Sequence, residues 1–311
     1  MKNILIIGSN GYIGSALIDS LTHKNKYVVT GVDICWFTPP NIYTHIIEDY
    51  KNLSKEFLKQ YDVIVLLAGH SSVKMCEGNP IDSHKNNVDN FITLVNKLSS
   101  KTKFIYASSS SVYGNCNNIN ANETYTEFIP YNNYDITKHI IDLYIQRFNI
   151  EYYGLRLGTV NGFAPIVRND VMINAMYSSA LNNKEIKLYV KNINRPILGI
   201  KDLVTAIEKI IESNSDNRGL YNLASFNETA ESIAYRVSKK VNIPVKEYAV
   251  NPNDIISNSK LQTIHYDFKI DCSKFKKVYD FEFTETVESI VDSLQNNLYA
   301  ETARNTNFKY E

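Results

Sequence analysis

The stretch that decides the fold is KNILIIGSNGYIG, residues 2–14. Its first part, Lys2–Ile7, is almost continuously apolar, which predicts a strand buried on both faces. The following stretch, Tyr12–Leu21, has apolar residues at helical spacing on one face, which predicts a helix. Gly8 and Gly11 lie between them and Gly14 lies in the first turn of the predicted helix, and glycine lets the backbone turn tightly and approach another group closely. The sequence therefore opens with a strand, a tight turn and a helix.

The same alternation of apolar strand and amphipathic helix continues along the chain. Further strands are predicted at Tyr27–Val32, Asp62–Leu67, Phe104–Ala107 and Tyr152–Leu157, and helices at Asn87–Leu98 and Tyr134–Arg147. Continuous apolar strands that alternate with helices indicate a parallel sheet covered on both faces. We predict an α/β fold in which residues 1–160 form a doubly wound parallel (Rossmann) sheet.

After about Val160 the pattern loosens, and residues 161–311 are predicted to form a smaller C-terminal α/β lobe, interleaved with the first domain. Its expected helices and short strands are Met172–Leu181, Asp202–Glu212, Ile186–Val190 and Leu220–Leu223. Ligands of doubly wound sheets bind beyond the carboxyl ends of the strands. Functional residues are therefore expected in the segments that follow each strand.

The composition argues against several functional classes. Of the 311 residues, 33 are Lys or Arg and 33 are Asp or Glu, and a protein of zero net charge is not a typical nucleic-acid binder. No apolar run approaches the ~20 residues that span a bilayer, and the apolar start is too short for a signal peptide. The four cysteines and six histidines show no metal-ligand spacing. We expect a cytoplasmic protein without a metal, a membrane partner or a nucleic-acid partner.

The first turn also predicts a dinucleotide site. Gly8, Gly11 and Gly14 follow a Gly-x-x-Gly-x-x-Gly pattern, which departs from the usual G-x-G-x-x-G spacing. The context still fits, because a pyrophosphate after the strand would lie on free N–H groups at the helix N-terminus. Asp33 ends the second strand 19 residues after Gly14, where a carboxylate can accept hydrogen bonds from both ribose hydroxyls.

The choice of cofactor follows from Asp33. A carboxylate at this position repels a 2′-phosphate, and Ile34, Cys35 and Trp36 supply no cation to neutralise one. NAD is therefore predicted in preference to NADP. Asp49 follows the third strand, where it either reaches the adenine amino group or lies in a solvated turn.

Two further segments carry candidate catalytic groups. Ser108–Ser111 place four hydroxyls at the carboxyl end of the fifth strand. Tyr134 and Lys138 stand at i and i+4 on one helix face, so the ammonium can lie near the phenol oxygen. A phenol with a pKa of about 10 is a weak base at neutral pH, but a nearby Lys⁺ and an oxidised nicotinamide favour the phenolate. Taken singly, a polar loop and a pair of surface residues would also explain these motifs.

Together the motifs resemble the extended short-chain dehydrogenases/reductases, the NAD-dependent epimerase/dehydratase group that acts on nucleotide sugars. The resemblance runs from residue 1 to about residue 225, with further matches at Leu67-Ala68-Gly69, Asn79-Pro80 and Asn87-Val88. It implies three catalytic roles. Tyr134 is the base, Lys138 is its electrostatic partner and holds the nicotinamide ribose, and Ser109 binds the reacting sugar oxygen, with Ser110 and Ser111 as close competitors.

The motifs and the resemblance together define the expected contacts. The cofactor-binding set is Gly8, Asn10, Gly11, Tyr12, Ile13, Gly14, Asp33, Asp49, Tyr50, Leu67, Ala68, Gly69, Asn87, Ser108, Tyr134 and Lys138. The substrate-binding set is Ser71, Ser72, Ser109, Ser110, Ser111, Arg168, Asn174 and Arg195. Arg168 and Arg195 are expected to neutralise a diphosphate, since two cations and an amide suit such an anion. For the residues of the second lobe, a structural role is an equally good interpretation.

The sequence also departs from the family pattern. Thr159 stands where many members have Asn, so the role of that Asn is not transferred. Relatives that eliminate water have an acid just after the catalytic Ser or Thr, whereas this chain has Ser110 and Ser111. That difference argues against 4,6-dehydration. Asp135 follows Tyr134 where Gly is usual, and the sequence offers no interpretation of it.

These observations lead to one functional hypothesis and two alternatives. The hypothesis is an NAD-dependent C4 epimerase acting on a nucleotide-diphosphate sugar, in which the C4 hydroxyl is oxidised and hydride returns to the opposite face. The first alternative is a one-way 4-dehydrogenase or 4-keto reductase that uses the same residues. The second is a catalytically silent NAD-binding regulator on the same fold. The resemblance further implies a homodimer formed through paired helices.

Overall fold

The computed structural model describes residues 1–35, 44–116, 119–127, 130–214, 216–249 and 267–297. The strands are β1 (Lys2–Ile7), β2 (Tyr27–Asp33), β3 (Thr44–Ile47), β4 (Val63–Leu66), β5 (Lys103–Ser109), β6 (Asn120–Ala121), β7 (Glu151–Leu157), β8 (Thr159–Asn161), β9 (Ile186–Leu188), β10 (Asn194–Gly199), β11 (Gly219–Leu223), β12 (Phe226–Thr229), β13 (Val245–Glu247) and β14 (Lys269–Ile270). The helices are α1 (Tyr12–Thr22), α2 (Lys55–Leu58), α3 (Val73–Gly78), α4 (Pro80–His84), α5 (Asn90–Val95), α6 (Asn133–Tyr144), α7 (Met172–Asn183), α8 (Ile200–Glu212), α9 (Ala230–Val241), α10 (Ser273–Tyr279) and α11 (Val287–Asn296).

Seven strands form one sheet in the order β11-β7-β5-β4-β1-β2-β3, and neighbouring strands are parallel throughout. The strand order reverses between β1 and β4, so the sheet is doubly wound, as predicted. Successive residues of β1 point to opposite faces. Ile4 and Ile6 join a core with α1, α8 and α10, whereas Leu5 and Ile7 join a core with α5 and α6.

The helix predicted at Asn87–Leu98 differs in the structure. Residues Lys85–Asp89 form a π-helical turn, and α5 begins only after it. Such turns widen a helix locally and occur often at functional sites. Here the turn contains the buried side chain of Asn87, which contacts the loop after β4.

The smaller lobe is built around a three-stranded sheet of β8, β10 and β12, with α7, α9 and α11 packed into one core. The chain does not leave the first domain cleanly, because β11 returns to pair with β7 at the edge of the large sheet. Residues 267–297 add β14, α10 and α11, of which α11 packs against α7 and α9. Within the described residues, no helix is both long and apolar enough to cross a bilayer.

Candidate active site

The turn after β1 is shaped for close approach of a ligand. Gly8 has a φ of +85°, and a Cβ atom there would lie 2.4 Å from the Ala68 nitrogen. A Cβ atom on Gly14 would lie 2.0 Å from the Gly8 oxygen, so α1 and the turn pack backbone against backbone. Gly11 is the N-cap of α1 and supplies no side chain to the helix N-terminus. The N–H groups there are therefore available to an anion such as a dinucleotide pyrophosphate.

Asp33 lies beside this turn at the end of β2. One carboxylate oxygen accepts the Asn10 N–H at 3.0 Å, and the other accepts the Cys35 N–H at 2.8 Å. The backbone thus holds a partly exposed carboxylate next to the glycine turn, where ribose hydroxyls can donate to it. Among the described residues that follow, Ile34 and Cys35 carry no charge, and Trp36 lies outside the described residues. The donors and acceptors present fit NAD.

Asp49 and Tyr50 already have structural partners in the described chain. The Asp49 carboxylate accepts the Lys51 N–H at 3.1 Å and pairs with the Lys51 ammonium at 2.9 Å. The Tyr50 hydroxyl donates to the backbone oxygen of Asn86. These contacts match the interpretation of Asp49 as a turn residue. Contact of Asp49 with adenine, and of Tyr50 with the cofactor, stays a prediction.

The loop after β4 is clamped between β1 and α6. The Leu67 and Ala68 N–H groups both donate to the Ile7 oxygen, at 2.8 and 3.0 Å. The Asn87 side chain accepts the His70 N–H at 2.8 Å and donates to the Thr137 hydroxyl at 3.2 Å. Asn87 therefore joins this loop to α6, and its contact with the cofactor stays a prediction.

The three predicted catalytic side chains lie together at the carboxyl edge of the sheet. The Tyr134 phenol lies close enough to the Ser109 hydroxyl, at the end of β5, for the serine to lower its pKa. The Lys138 ammonium lies 5.9 Å from the centroid of the Tyr134 ring and donates to the Ala107 oxygen at 2.8 Å. The i, i+4 spacing on α6 brings Tyr134 and Lys138 together, and the end of β5 places Ser109 beside them.

Burial controls the charge of this cluster. It raises the pKa of Tyr134 to about 12, while the Ser109 hydrogen bond lowers that pKa, the Asp135 charge raises it and the Arg168 charge lowers it. Burial also lowers the pKa of Lys138 to about 8, against the opposing charge of Asp142. Burial therefore reverses the ordinary order of the two pKa values and places that of Lys138 below that of Tyr134. Phenolate formation needs further positive charge close to Tyr134.

The serines after β5 form a connected hydrogen-bond cluster. The Ser109 and Ser111 hydroxyl oxygens are 2.7 Å apart, and the Ser111 hydroxyl donates to a carboxylate oxygen of Asp135 at 2.5 Å. Ser110 is buried. The Ser108 hydroxyl is also buried and has no hydrogen-bond partner within the described ranges. A bound ligand at this edge would satisfy it.

The predicted substrate residues are only partly brought together. Arg168 pairs through two contacts of 2.8 Å with Asp170, and its guanidinium lies 3.5 Å from the Ser71 oxygen. Ser72 accepts the Met75 N–H and caps α3. Buried Asn174 accepts the Gly162 N–H at 2.9 Å and donates to the Arg168 oxygen at 2.8 Å. The structure thus places Arg168 near Tyr134, and Ser71 and Asn174 in contact with Arg168.

Arg195 lies in neither the seven-stranded sheet nor α6. It is on β10 of the three-stranded sheet, opposite Glu228 of β12 in antiparallel register. Contact of Arg195 with a diphosphate stays a prediction. Among the described residues, no group of three or more His, Cys, Asp or Glu side chains could hold a metal ion.

Two features of the site were not found from the sequence. Asp142, one helical turn beyond Lys138, is fully buried and accepts the Arg156 guanidinium at 2.8 Å and the Tyr106 hydroxyl at 2.9 Å. Asp135 is equally buried and contacts Ser111. Both acids lie on the same helix as Tyr134 and Lys138, Asp135 directly after Tyr134 and Asp142 four residues after Lys138. Their position on this helix was the signal that the sequence contained.

Comparison with known proteins identifies the family. Residues 4–224 match the model of the NAD dependent epimerase/dehydratase family. The chain belongs to this family. It is accordingly an NAD-dependent enzyme, and the glycine turn and Asp33 are where its cofactor fits.

Individual relatives of this family member are distant in sequence but similar in fold. Protein CapI of Staphylococcus aureus is 29% identical over 67% of this chain and 69% of its own length. A UDP-N-acetylglucosamine 4-epimerase from Methanobrevibacter ruminantium M1 superposes with a TM-score of 0.81 at 23% identity, covering 95% of this chain and 99% of the other. UDP-glucuronic acid 4-epimerase from Bacillus cereus, solved with UDP-glucuronic acid and NAD, gives 0.80 at 21% identity, covering 96% and 99%.

Proposed function

We propose that this epimerase/dehydratase family member is a nucleotide-sugar C4 epimerase. The observation that carries the proposal is the cluster of Tyr134, Lys138 and Ser109, at the same carboxyl edge of the parallel sheet as the glycine turn and Asp33. Such a cluster can remove and return one hydroxyl proton beside a hydride acceptor. Two structural neighbours described as 4-epimerases of UDP-sugars support this reaction type.

The proposed mechanism assigns one task to each side chain. Tyr134, as phenolate, removes the proton of the C4 hydroxyl and later returns it. The Lys138 ammonium, held by the Ala107 oxygen, stabilises the phenolate by its charge. Ser109 hydrogen-bonds the reacting oxygen and orients it toward Tyr134. NAD⁺, when bound, supplies the hydride acceptor and donor chemistry that the protein itself lacks.

Inversion at C4 requires the keto sugar to turn before reduction, so that hydride reaches its opposite face. The same residues would also serve a one-way 4-dehydrogenase or 4-keto reductase. A dehydratase is less well supported, because Ser110 and Ser111 stand where dehydratases have an acid directly after the catalytic hydroxyl.

The proposed substrate is a nucleoside-diphosphate sugar, with a UDP-sugar to be tested first. Arg168 is close enough to Tyr134 for its charge to lower the pKa of the phenol. Arg168 is paired with Asp170 and lies against the Ser71 oxygen, and these contacts hold its guanidinium. Such a guanidinium suits a phosphate or carboxylate oxygen of the substrate.

We also propose that the enzyme is a homodimer formed through α6. Ile136, Leu143 and Tyr144 are at least about one-third exposed and share one face of this helix, and Ile81 of α4 is 82% exposed. Exposed apolar side chains on one helix face are typical of a helix-paired interface.

The proposal is tested by ¹H NMR of UDP-glucose, UDP-N-acetylglucosamine and UDP-glucuronic acid incubated separately with the enzyme and NAD⁺. The expected result is formation of the C4 epimer of at least one sugar. Tyr134→Phe is expected to lower kcat by roughly 100-fold or more, since a general base contributes about 10²–10⁴-fold. Tyr131→Phe, a nearby tyrosine outside the cluster, serves as the matched control. Equal activity of wild type and Tyr134→Phe would contradict the proposal.

A further inference from the structure

The helix that carries Tyr134 is held at its first residue by a carboxylate from another helix. Glu77 of α3 accepts the Asn133 backbone N–H at 2.7 Å through one oxygen and the Asn133 side-chain amide at 3.0 Å through the other. Asn133 is the first residue of α6 and directly precedes Tyr134. Two hydrogen bonds between residues 56 positions apart in the sequence therefore join α3 to the residue beside the proposed base.

The chemistry of this contact favours a fixed geometry. The first N–H groups of a helix have no acceptor within the helix, and negative charge is stabilised at that end by the helix dipole. Hydrogen bonds to an ionised carboxylate are shorter and stronger than neutral ones. Because Glu77 binds both the backbone and the side chain of Asn133, it restricts rotation of the first turn of α6 as well as its translation.

Glu77 is itself anchored by the helix on which it lies. The preceding residue, Cys76, is fully buried, and its thiol donates to the His70 backbone oxygen at 3.7 Å. The Ser72 hydroxyl caps α3 by accepting the Met75 N–H at 3.2 Å. Glu77 is half-buried where α3 packs against α6. Its carboxylate is therefore presented to α6 from a fixed position.

The residue on the other side of Tyr134 is held independently. Asp135 is fully buried, and its carboxylate accepts the Ser111 hydroxyl at 2.5 Å. Tyr134 thus lies between two tethered residues, Asn133 held from α3 and Asp135 held from the segment after β5. Loss of the Glu77 contact leaves the Asp135 contact in place. Such a loss should therefore shift the first turn of α6 without unfolding the helix.

We propose that Glu77 is a positioning residue which, through Asn133, holds Tyr134 in the geometry that proton transfer at C4 requires. A general base must lie within about 2.6–3.2 Å of the oxygen whose proton it removes, and a misplacement of about 1 Å can lower the rate by about 100-fold. The inference deepens the proposed function, because it rests on the role of Tyr134 as the base.

Two variants remove the contact from opposite sides. Glu77→Ala removes the carboxylate, whereas Asn133→Pro removes both donors and keeps Glu77. Proline is favoured at the first position of a helix, and the preceding residue, Asn132, already has the extended backbone that proline requires, with φ −141° and ψ 166°. Asn133→Pro is therefore compatible with an intact α6, and it provides the test if Glu77→Ala folds poorly.

A third variant serves as the conservative rescue. In Glu77→Gln the new carboxamide oxygen can accept the Asn133 N–H, and the Asn133 side chain can turn its own oxygen toward the new NH₂ group. Both hydrogen bonds are then kept without the charge. Asp62→Ala is the matched control, because Asp62 is an exposed carboxylate that accepts the Asn3 N–H at 2.8 Å, at the amino end of β1 and away from the carboxyl edge of the sheet.

The kinetic test measures kcat and KM of each variant with NAD⁺ and a UDP-sugar that the wild type epimerises. We expect Glu77→Ala and Asn133→Pro each to lower kcat by roughly 10- to 100-fold, and the double variant to lose no more than the weaker single variant. KM should stay within about threefold of wild type in all of them, and kcat of Glu77→Gln and Asp62→Ala within about threefold. Wild-type kcat in Glu77→Ala and Asn133→Pro, or a loss in Glu77→Gln or Asp62→Ala as large as that in Glu77→Ala, would overturn the inference.

A second measurement needs no sugar, so it separates failure of this inference from failure of the proposed function. The NAD⁺-loaded proteins are labelled with ¹³Cζ-tyrosine, and Tyr134→Phe assigns the signal of Tyr134. This signal should shift or broaden in Glu77→Ala and Asn133→Pro and should return to its wild-type position in Glu77→Gln. An identical Tyr134 signal in wild type, Glu77→Ala and Asn133→Pro would refute the inference even if the enzyme epimerises a sugar.

Discussion

Gly14→Ala tests whether the glycine turn holds the cofactor. The added Cβ would lie 2.0 Å from the Gly8 oxygen and 2.9 Å from the Gly8 and Ser9 carbonyl carbons. Non-bonded heavy atoms prefer about 3.5 Å, so the N-terminus of α1 must move by more than an ångström. All of the obstructing atoms are backbone, and no side chain can turn away to make room. Overpacking of this kind costs about 1–3 kcal/mol of unfolding free energy.

The same displacement weakens NAD⁺ binding, because it removes N–H groups from the pyrophosphate. Losing one hydrogen bond to a charged group costs about 1.5–3 kcal/mol, which corresponds to roughly 10- to 150-fold in affinity. Isothermal titration with NAD⁺ measures this loss. The matched control is Gly78→Ala at the end of α3, where a Cβ would meet nothing within 4 Å. Affinity of Gly14→Ala within about threefold of wild type would refute the reasoning.

Three further predictions concern α6, the helix that carries the proposed catalytic pair Tyr134 and Lys138. Asp142→Ala should cost about 3–5 kcal/mol of unfolding free energy, because it leaves the buried Arg156 charge unpaired. Asp292→Ala, which breaks an ion pair at the surface, should cost at most about 1 kcal/mol. Equal losses of the two variants in denaturant unfolding would contradict this. Leu143→Lys, on the exposed face of α6, should convert a dimer to a monomer in light scattering, and an unchanged mass would exclude that face. Burial lowers the pKa of Lys138 to about 8 from an ordinary value of about 10.4, so the folded state binds fewer protons there than the unfolded state. The free energy of unfolding should therefore rise by about 3 kcal/mol between those pH values, and Lys138→Met should abolish the rise. Parallel curves of unfolding free energy against pH for wild type and Lys138→Met would refute this.

The fold was predictable because its signal is local. Continuous apolar strands such as Lys2–Ile7, alternating with amphipathic helices, determine a parallel sheet whatever the details of the loops. The return of β11 to the large sheet was not visible, because a short apolar strand does not reveal which neighbour it pairs with. The π-helical turn at Lys85–Asp89 was missed for a related reason, since it depends on contacts of Asn87 with distant residues.

The candidate site was likewise predictable where its residues are close in sequence and not where they are distant. Tyr134 and Lys138 share a helix face, so their proximity follows from spacing alone. The contact between Asp135 and Ser111 joins residues 24 positions apart, and the pairing of Asp142 with Arg156 joins a helix to a strand. The packing of α6 against the end of β5 and against β7 creates these contacts, so Asp135 could not be interpreted from the sequence alone.

The central claim, inversion at C4 by removal and return of the same hydride, is tested most directly with a UDP-sugar carrying deuterium at C4. The enzyme is incubated with this sugar and NAD⁺, and the product is examined by NMR and mass spectrometry. The account predicts a C4-inverted sugar that keeps its deuterium, with no accumulation of NADH. Stoichiometric NADH without an epimer, or an epimer that has lost its deuterium to solvent, would contradict it.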